Sequence, residues 1–142
     1  MKVFLITPVR SLTDWEKNAI EIYLHNLESH DIKVYWPYRD TDYSDPSGLS
    51  ASTGHKEAMR SADEVHIWWN PASEESIFLL GMAWAMGKRL AIANSITVKE
   101  HVRQNPGRSF PTLMLKWGVK KTIKESRHEP DRDPKRGVVG NE

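Results

Sequence analysis

Two arginines, one histidine and a pair of adjacent glutamates are the side chains best suited to work on a polar or anionic ligand: Arg10, Arg39, His55, Glu74 and Glu75. Arg10 falls just ahead of an expected helix start, where free amides and the helix dipole favour an anion. Arg39 follows the second expected strand, and two guanidinium groups at one end of a sheet suit a phosphate or a carboxylate. Taken singly, either arginine is more often a solvated surface residue; the pair points toward function. Asp40, Thr41, Asp42 and Ser44 are of the types that hold sugar hydroxyls, and equally of the types that build turns. His55 titrates near neutral pH and could transfer protons, although a lone histidine is more often a surface residue. Glu74 and Glu75 fit the first turn of a helix, with one of them facing a ligand as the alternative.

Several chemistries are excluded. The six histidines are scattered, with no H-x-x-x-H and no His/carboxylate cluster, so no metal site is expected. Neither G-x-G-x-x-G nor G-x-x-x-x-G-K-[ST] occurs, and the G-x-S-x-G elbow is absent, so no cofactor is expected either. Zero cysteines remove disulfides, thiolate ligands and cysteine nucleophiles, and suit a reducing, cytoplasmic setting. Twenty basic and 19 acidic residues leave a net charge of +1, which gives no general attraction to a nucleic-acid polymer, and no basic stripe with interleaved aromatics replaces it. The opening Met1-Lys2-Val3-Phe4-Leu5-Ile6 looks like a strand rather than a signal peptide, and no run is long enough to span a membrane.

The elements that must position these side chains follow from periodicity. Residues 2–7 form an apolar run closed by Pro8. Thr13-Asp14-Trp15-Glu16 has the form of a capping box, and Ile20, Tyr23, Leu24 and Leu27 then recur at helical spacing. Residues 32–36 alternate and end at Pro37, as a strand does. A long polar loop over 38–48 precedes a helix over 52–62, a third strand over 65–69, and the run Ser73 to Lys88. That run has Ser73 as N-cap, acids in its first turn and Gly87 as its stop, with apolar residues on every face between, so it is expected to be buried all round. A fourth strand covers 89–94, a turn-rich segment runs through 98–106, and Thr112-Leu113-Met114-Leu115-Lys116-Trp117 makes a fifth strand. The expected domain is 1–124, and residues 125–142, rich in Pro, Gly and charge, form a disordered tail. Alternating strands and helices predict an α/β fold, a mostly parallel five-stranded sheet wrapped on both faces. Ligands bind such sheets beyond the carboxyl ends of the strands, where strand order reverses. Three loops qualify: 7–13, 37–52 and 70–76.

Phe4-Leu5-Ile6-Thr7-Pro8, Trp36-Pro37-Tyr38-Arg39-Asp40-Thr41, Ala62-Asp63-Glu64-Val65 and Ser76-Ile77-Phe78-Leu79-Leu80-Gly81-Met82-Ala83 with Gly87-Lys88 come in an order that resembles the nucleoside 2-deoxyribosyltransferase-like family, which includes nucleotide N-glycosidases. The resemblance covers residues 3 to 95. It implies a flavodoxin-like three-layer sandwich, a homo-oligomer, and a small-molecule nucleoside or nucleotide ligand whose bond between base and C1′ is broken through a covalent glycosyl intermediate. It also shows a departure. The family's nucleophilic acid falls two residues before the glycine of the last block, which here is Leu79, and a second polar position falls on His55. The implied catalytic candidates are therefore Glu75, one turn toward the helix start from Leu79, or Asp40 as nucleophile, with His55 as proton donor to the leaving base. The substrate-binding candidates are Thr7, Arg10, Arg39, Thr41, Ser73 and Ser76, the two arginines holding a 5′-phosphate. The alternative is a nucleotide-binding or sensing module that keeps the pocket without the chemistry.

Overall fold

In the computed structural model, which describes residues 1–126, the chain divides into two compact units, Met1–Ala93 and a second that begins at Asn94. The first holds β1 (Lys2–Ile6), α1 (Asp14–Glu28), β2 (Lys33–Tyr35), α2 (Pro37–Asp40), α3 (Leu49–Ser61), β3 (Glu64–Ile67), α4 (Glu74–Ala85) and β4 (Arg89–Ile92). The second holds α5 (Ser95–Gln104) and α6 (Phe110–Ser126). This is an α/β fold whose sheet is wholly parallel.

The strand order is β2-β1-β3-β4, with Val3 to Ile6 of β1 opposite Glu64 to Ile67 of β3, and Lys2 to Phe4 opposite Lys33 to Tyr35 of β2. β1 is central and apolar on both sides because both sides are covered. Val3 and Leu5 pack with Val34 and Trp36 against Ile20 and Leu24 of α1. On the opposite face Phe4 stacks on Tyr35, and both rings meet the edge of His55 from α3. Right-handed crossovers put α3 and α4 together on that second face. α1 starts as its sequence predicts: the Thr13 hydroxyl accepts from the Glu16 amide at 3.1 Å and the Glu16 carboxylate accepts in return from Thr13.

Three expectations change. Among the described residues the sheet has four strands, because residues 112–117 lie inside α6. Met114 and Trp117, three apart, are both buried, which is a helical period. Ser109 caps that helix by accepting from the Thr112 amide at 3.2 Å, and Pro111 sits in its first turn. The segment read as turn-rich forms α5 over Ser95–Gln104. α4 is not buried all round: Ser76, Leu79, Leu80 and Ala83 face inward, while Phe78 and Trp84 are 59% and 57% exposed and a Cβ on Gly81 would meet nothing within 4 Å. A helix on the outside of a single sheet has only one face to bury, whatever the composition of the other. Of the expected tail, Glu125 and Ser126 end α6, and the remainder lies outside the described residues.

One buried polar chain ties α1 to the sheet. The Tyr23 hydroxyl lies 2.6 Å from His66 Nδ1, and His66 Nε2 lies 3.0 Å from Glu64 Oε1. Glu64 can only accept, so Nε2 carries the ring proton and Nδ1 accepts from Tyr23. Burial, with the Glu64 charge adding to it, pushes the Tyr23 phenol up to about 12. Replacing Tyr23 by Phe leaves the buried Nδ1 without its donor. Urea unfolding at neutral pH should then show a loss of about 1–2 kcal/mol at unchanged m-value; an unchanged midpoint would mean the bond contributes nothing net.

Candidate functional site

β1 and β3 are neighbours, but the chain leaving β1 turns to α1 on one face and the chain leaving β3 turns to α4 on the other. Between the diverging loops lies a cleft of about 660 Å³. Its wall is made by residues 8–11 after β1, by Ser52 and His55 of α3, and by Asn70, residues 72–75 and Phe78 after β3 and along α4. This is the reversal point where doubly wound sheets take ligands. The loop after β1 bends through Ser11, whose φ of 60° lies in the left-handed region. Asn70 is held by its side-chain amide donating to Glu16 Oε2 at 3.1 Å. The start of α4 is capped by the Ser73 hydroxyl, which accepts from the Ser76 amide at 3.2 Å.

Of the two acids that line this cleft, both in the first turn of α4, Glu74 is exposed and Glu75 is half-buried. The Glu75 Oε1 is buried and has no hydrogen-bond partner among the described residues. Burial pushes its carboxyl above the ordinary 4.5, and the charge of Arg10 opposes that only in part. Arg10 is exposed on the opposing loop and makes no hydrogen bond or ion pair among the described residues. Two residues of opposite charge type, each with unused hydrogen-bonding capacity among the described residues, thus line one cavity. His55 is 2% exposed, and burial holds its ring below the ordinary 6.5. Its Nε2 lies 3.1 Å from Thr41 Oγ1, which in turn lies 2.8 Å from the Tyr35 hydroxyl. Tyr43 stands beside His55, its hydroxyl 3.5 Å from Nε2, and its phenol is pushed up to about 12 by burial first and then by the charge of Glu75.

The remaining predicted residues are engaged elsewhere. Arg39 does not line the cleft: it donates to the Val34 carbonyl at 2.9 Å, to Asp40 at 2.7 Å and to Glu28 at 3.2 Å. Asp40 accepts from that guanidinium and from the Trp36 amide at 2.8 Å. Burial pulls Asp40 upward, but these donors outweigh it and hold the carboxyl below its usual range. Thr7 is buried, donating to the Pro8 carbonyl and accepting from the Trp36 indole at 2.8 Å, so it ties the ends of β1 and β2 together. Ser76 is fully buried beneath Ser73, the two hydroxyls 2.8 Å apart. The structure therefore brings Arg10, His55, Ser73 and Glu75 to one cleft, with Thr41 behind His55, and leaves Thr7, Arg39, Asp40 and Ser76 in supporting contacts. Leu79, 1% exposed, belongs to the core. Sequence reasoning missed Tyr35, Tyr43 and Asn70. Tyr35 was discoverable from strand pairing, since it stands opposite Phe4; Tyr43 carried no signal beyond its place in a long polar loop.

No protein-family model matches the chain, and no curated protein matches it.

The raised carboxyl of Glu75 has a consequence for stability. In the unfolded chain this group ionises near 4.5, whereas the fold resists its ionisation. The penalty is absent below that pH and grows as pH rises through the folded value. Glu75→Gln should therefore raise the urea midpoint at neutral pH and leave it unchanged at pH values under 4.5. A gap that persists or widens in acid would contradict the assigned direction.

Proposed function

We propose that this chain binds a nucleoside or nucleotide in the cleft between β1 and β3, and that Glu75 and His55 act on its N-glycosidic bond. The observation that carries this is Glu75, which lines the same cavity as Arg10 and His55 and whose buried Oε1 has no hydrogen-bond partner among the described residues. An acceptor left without a donor in a partly dehydrated cavity is costly unless a ligand completes it. The family resemblance supplies the ligand class: Glu75 attacks C1′ to form a glycosyl ester, the base departs, and water releases the sugar. His55, neutral at neutral pH because it is buried, would share its single ring proton with the departing base as a hydrogen bond, and the proton that neutralises the base would come from water. Arg10 would hold a 5′-phosphate by itself, since Arg39 is committed to Asp40 and Glu28.

The same resemblance carries a flavodoxin-like layering and a homo-oligomer, and the cysteine-free composition suits a cytoplasmic setting; the apolar outer face of α4, with Phe78 and Trp84 exposed, supports the oligomer. A non-catalytic nucleotide-binding module is the second proposal. It is favoured by Leu79, which puts an inert side chain in the core where the resembled family carries its nucleophile.

Purified protein incubated with the common deoxynucleosides, ribonucleosides and their 5′-monophosphates should release free base detectable by chromatography. Glu75→Gln should lower that rate by at least about a hundredfold. Arg10→Ala should weaken monophosphates by roughly tenfold and leave nucleosides nearly unchanged. Thermal stabilisation by these ligands without base release would favour the binding module, and neither stabilisation nor release would refute both.

A further inference from the structure

The hydrogen bonds of His55 run away from the cleft it lines. Nε2 meets Thr41 Oγ1 at 3.1 Å, and Thr41 Oγ1 meets the Tyr35 hydroxyl at 2.8 Å. Nδ1 has no hydrogen-bond partner among the described residues. Three rings box the imidazole in, Phe4, Tyr35 and Tyr43, with centroids 6.2, 6.3 and 6.1 Å from it and edge-on geometry. The ring is thus fixed in place, and the open matter is which nitrogen bears the proton of the neutral form.

The hydroxyl chain answers it. Thr41 has one proton, and its hydrogen-bond partners are the Tyr35 hydroxyl and His55 Nε2, with the Tyr43 phenol also close enough to interact with it. A phenol is a much stronger acid than an aliphatic alcohol, so it is the better donor and the poorer acceptor of the two. Thr41 is also the only hydrogen-bond partner of the Tyr35 hydroxyl among the described residues. Tyr35 therefore donates to Thr41, and the one proton of Thr41 is left for His55 Nε2. A nitrogen that accepts is unprotonated, so the ring proton sits on Nδ1. The Tyr43 hydroxyl, at 3.5 Å, is too distant to displace Thr41 from Nε2.

We propose that Tyr35 and Thr41 are positioning residues that fix His55 as its Nδ1–H tautomer, so that the nitrogen without a protein partner is a hydrogen-bond donor available to whatever occupies the cleft. This rests on taking the cleft as the ligand site. It specifies the ligand further: the group placed at His55 must be an acceptor, such as a ring nitrogen or carbonyl oxygen of a base.

The test is a long-range proton–nitrogen correlation spectrum of the full, nitrogen-15-labelled chain at neutral pH, with the His55 signals assigned by their loss in His55→Gln. The expected result is a protonated, pyrrole-type Nδ1 and a pyridine-type Nε2. Thr41→Val should shift the signals toward the other tautomer, and Thr41→Ser, which keeps the hydroxyl, should restore the wild-type pattern. A protonated Nε2 in the wild-type chain, or a tautomer indifferent to Thr41→Val, overturns the proposal; loss of packing alone would lower the melting temperature without exchanging the two nitrogens. In the base-release assay with 2′-deoxyadenosine and its 5′-monophosphate, Thr41→Val and Tyr35→Phe should each lower kcat about tenfold at similar KM, and Thr41→Ser should rescue. Failure of the wild-type chain to bind or cleave these probes would remove the function proposed above, while the spectrum would still decide the tautomer on its own.

Discussion

A parallel sheet has to be covered on both faces, and one strand order forces the two covers apart. β1 sends its chain to α1 on one face and β3 sends its chain to α4 on the other, although the strands are paired from Val3–Glu64 to Ile6–Ile67. Beyond Ile67 no further pairing can bridge the diverging loops, so a gap opens between them. Everything polar in the cleft is brought there by this divergence. Arg10 rides on the loop leaving β1, Glu75 on the turn that starts α4, and His55 on α3, which fills the same face as α4. The hydrophobic burial of β1 and the existence of the site are consequences of one topology.

The half-buried acid of that site stands under two opposing influences. The start of a helix favours a carboxylate through its unpaired amides and dipole, an effect of about 0.3–1 kcal/mol, or less than one unit of pKa. Removing the same carboxylate from water works the other way and can exceed that several-fold. In Glu75 burial prevails and the carboxyl is raised, even with Arg10 nearby. The contrast with Asp40 is instructive, because Asp40 is also part-buried yet is held low by a guanidinium and a backbone amide. What separates the two acids is the number of donors within reach. Asp40 has its donors from the protein, whereas Glu75 Oε1 has none among the described residues.

The same distinction explains what could be read before any coordinates. The capping box, the apolar strands and the helix over Glu74–Ala85 were legible because each is encoded by residues within a few positions of one another. The reversal point was legible too, as a rule of topology. Arg39 was misplaced because its partner Glu28 lies eleven positions away on another element, a distance no local pattern reports. The burial of His55 could not be read from sequence, because its box of Phe4, Tyr35 and Tyr43 is assembled from two strands, a loop and a helix. The supposed fifth strand failed for a local reason: Thr112 to Trp117 is a short, mostly apolar run whose periodicity cannot separate strand from helix, and the Ser109 cap with Pro111 was the overlooked evidence for a helix.

Leu79 and Glu75 then become one problem rather than two. They are four residues apart, so they share a face of α4 and differ by one turn, roughly 6 Å of rise. The inner position is packed in the core, where an ionised acid would be left without water or a partner and would be strongly destabilising. The outer position lines the cavity and feels the charge of Arg10. A reacting atom served by Glu75 would have to sit correspondingly nearer the mouth of the cleft than one served by residue 79. His55 restricts how far that displacement can go, because its boxed ring cannot follow the ligand outward. A ligand that spans both residues must therefore lie along the cleft, with its hydrogen-bond acceptors toward α3.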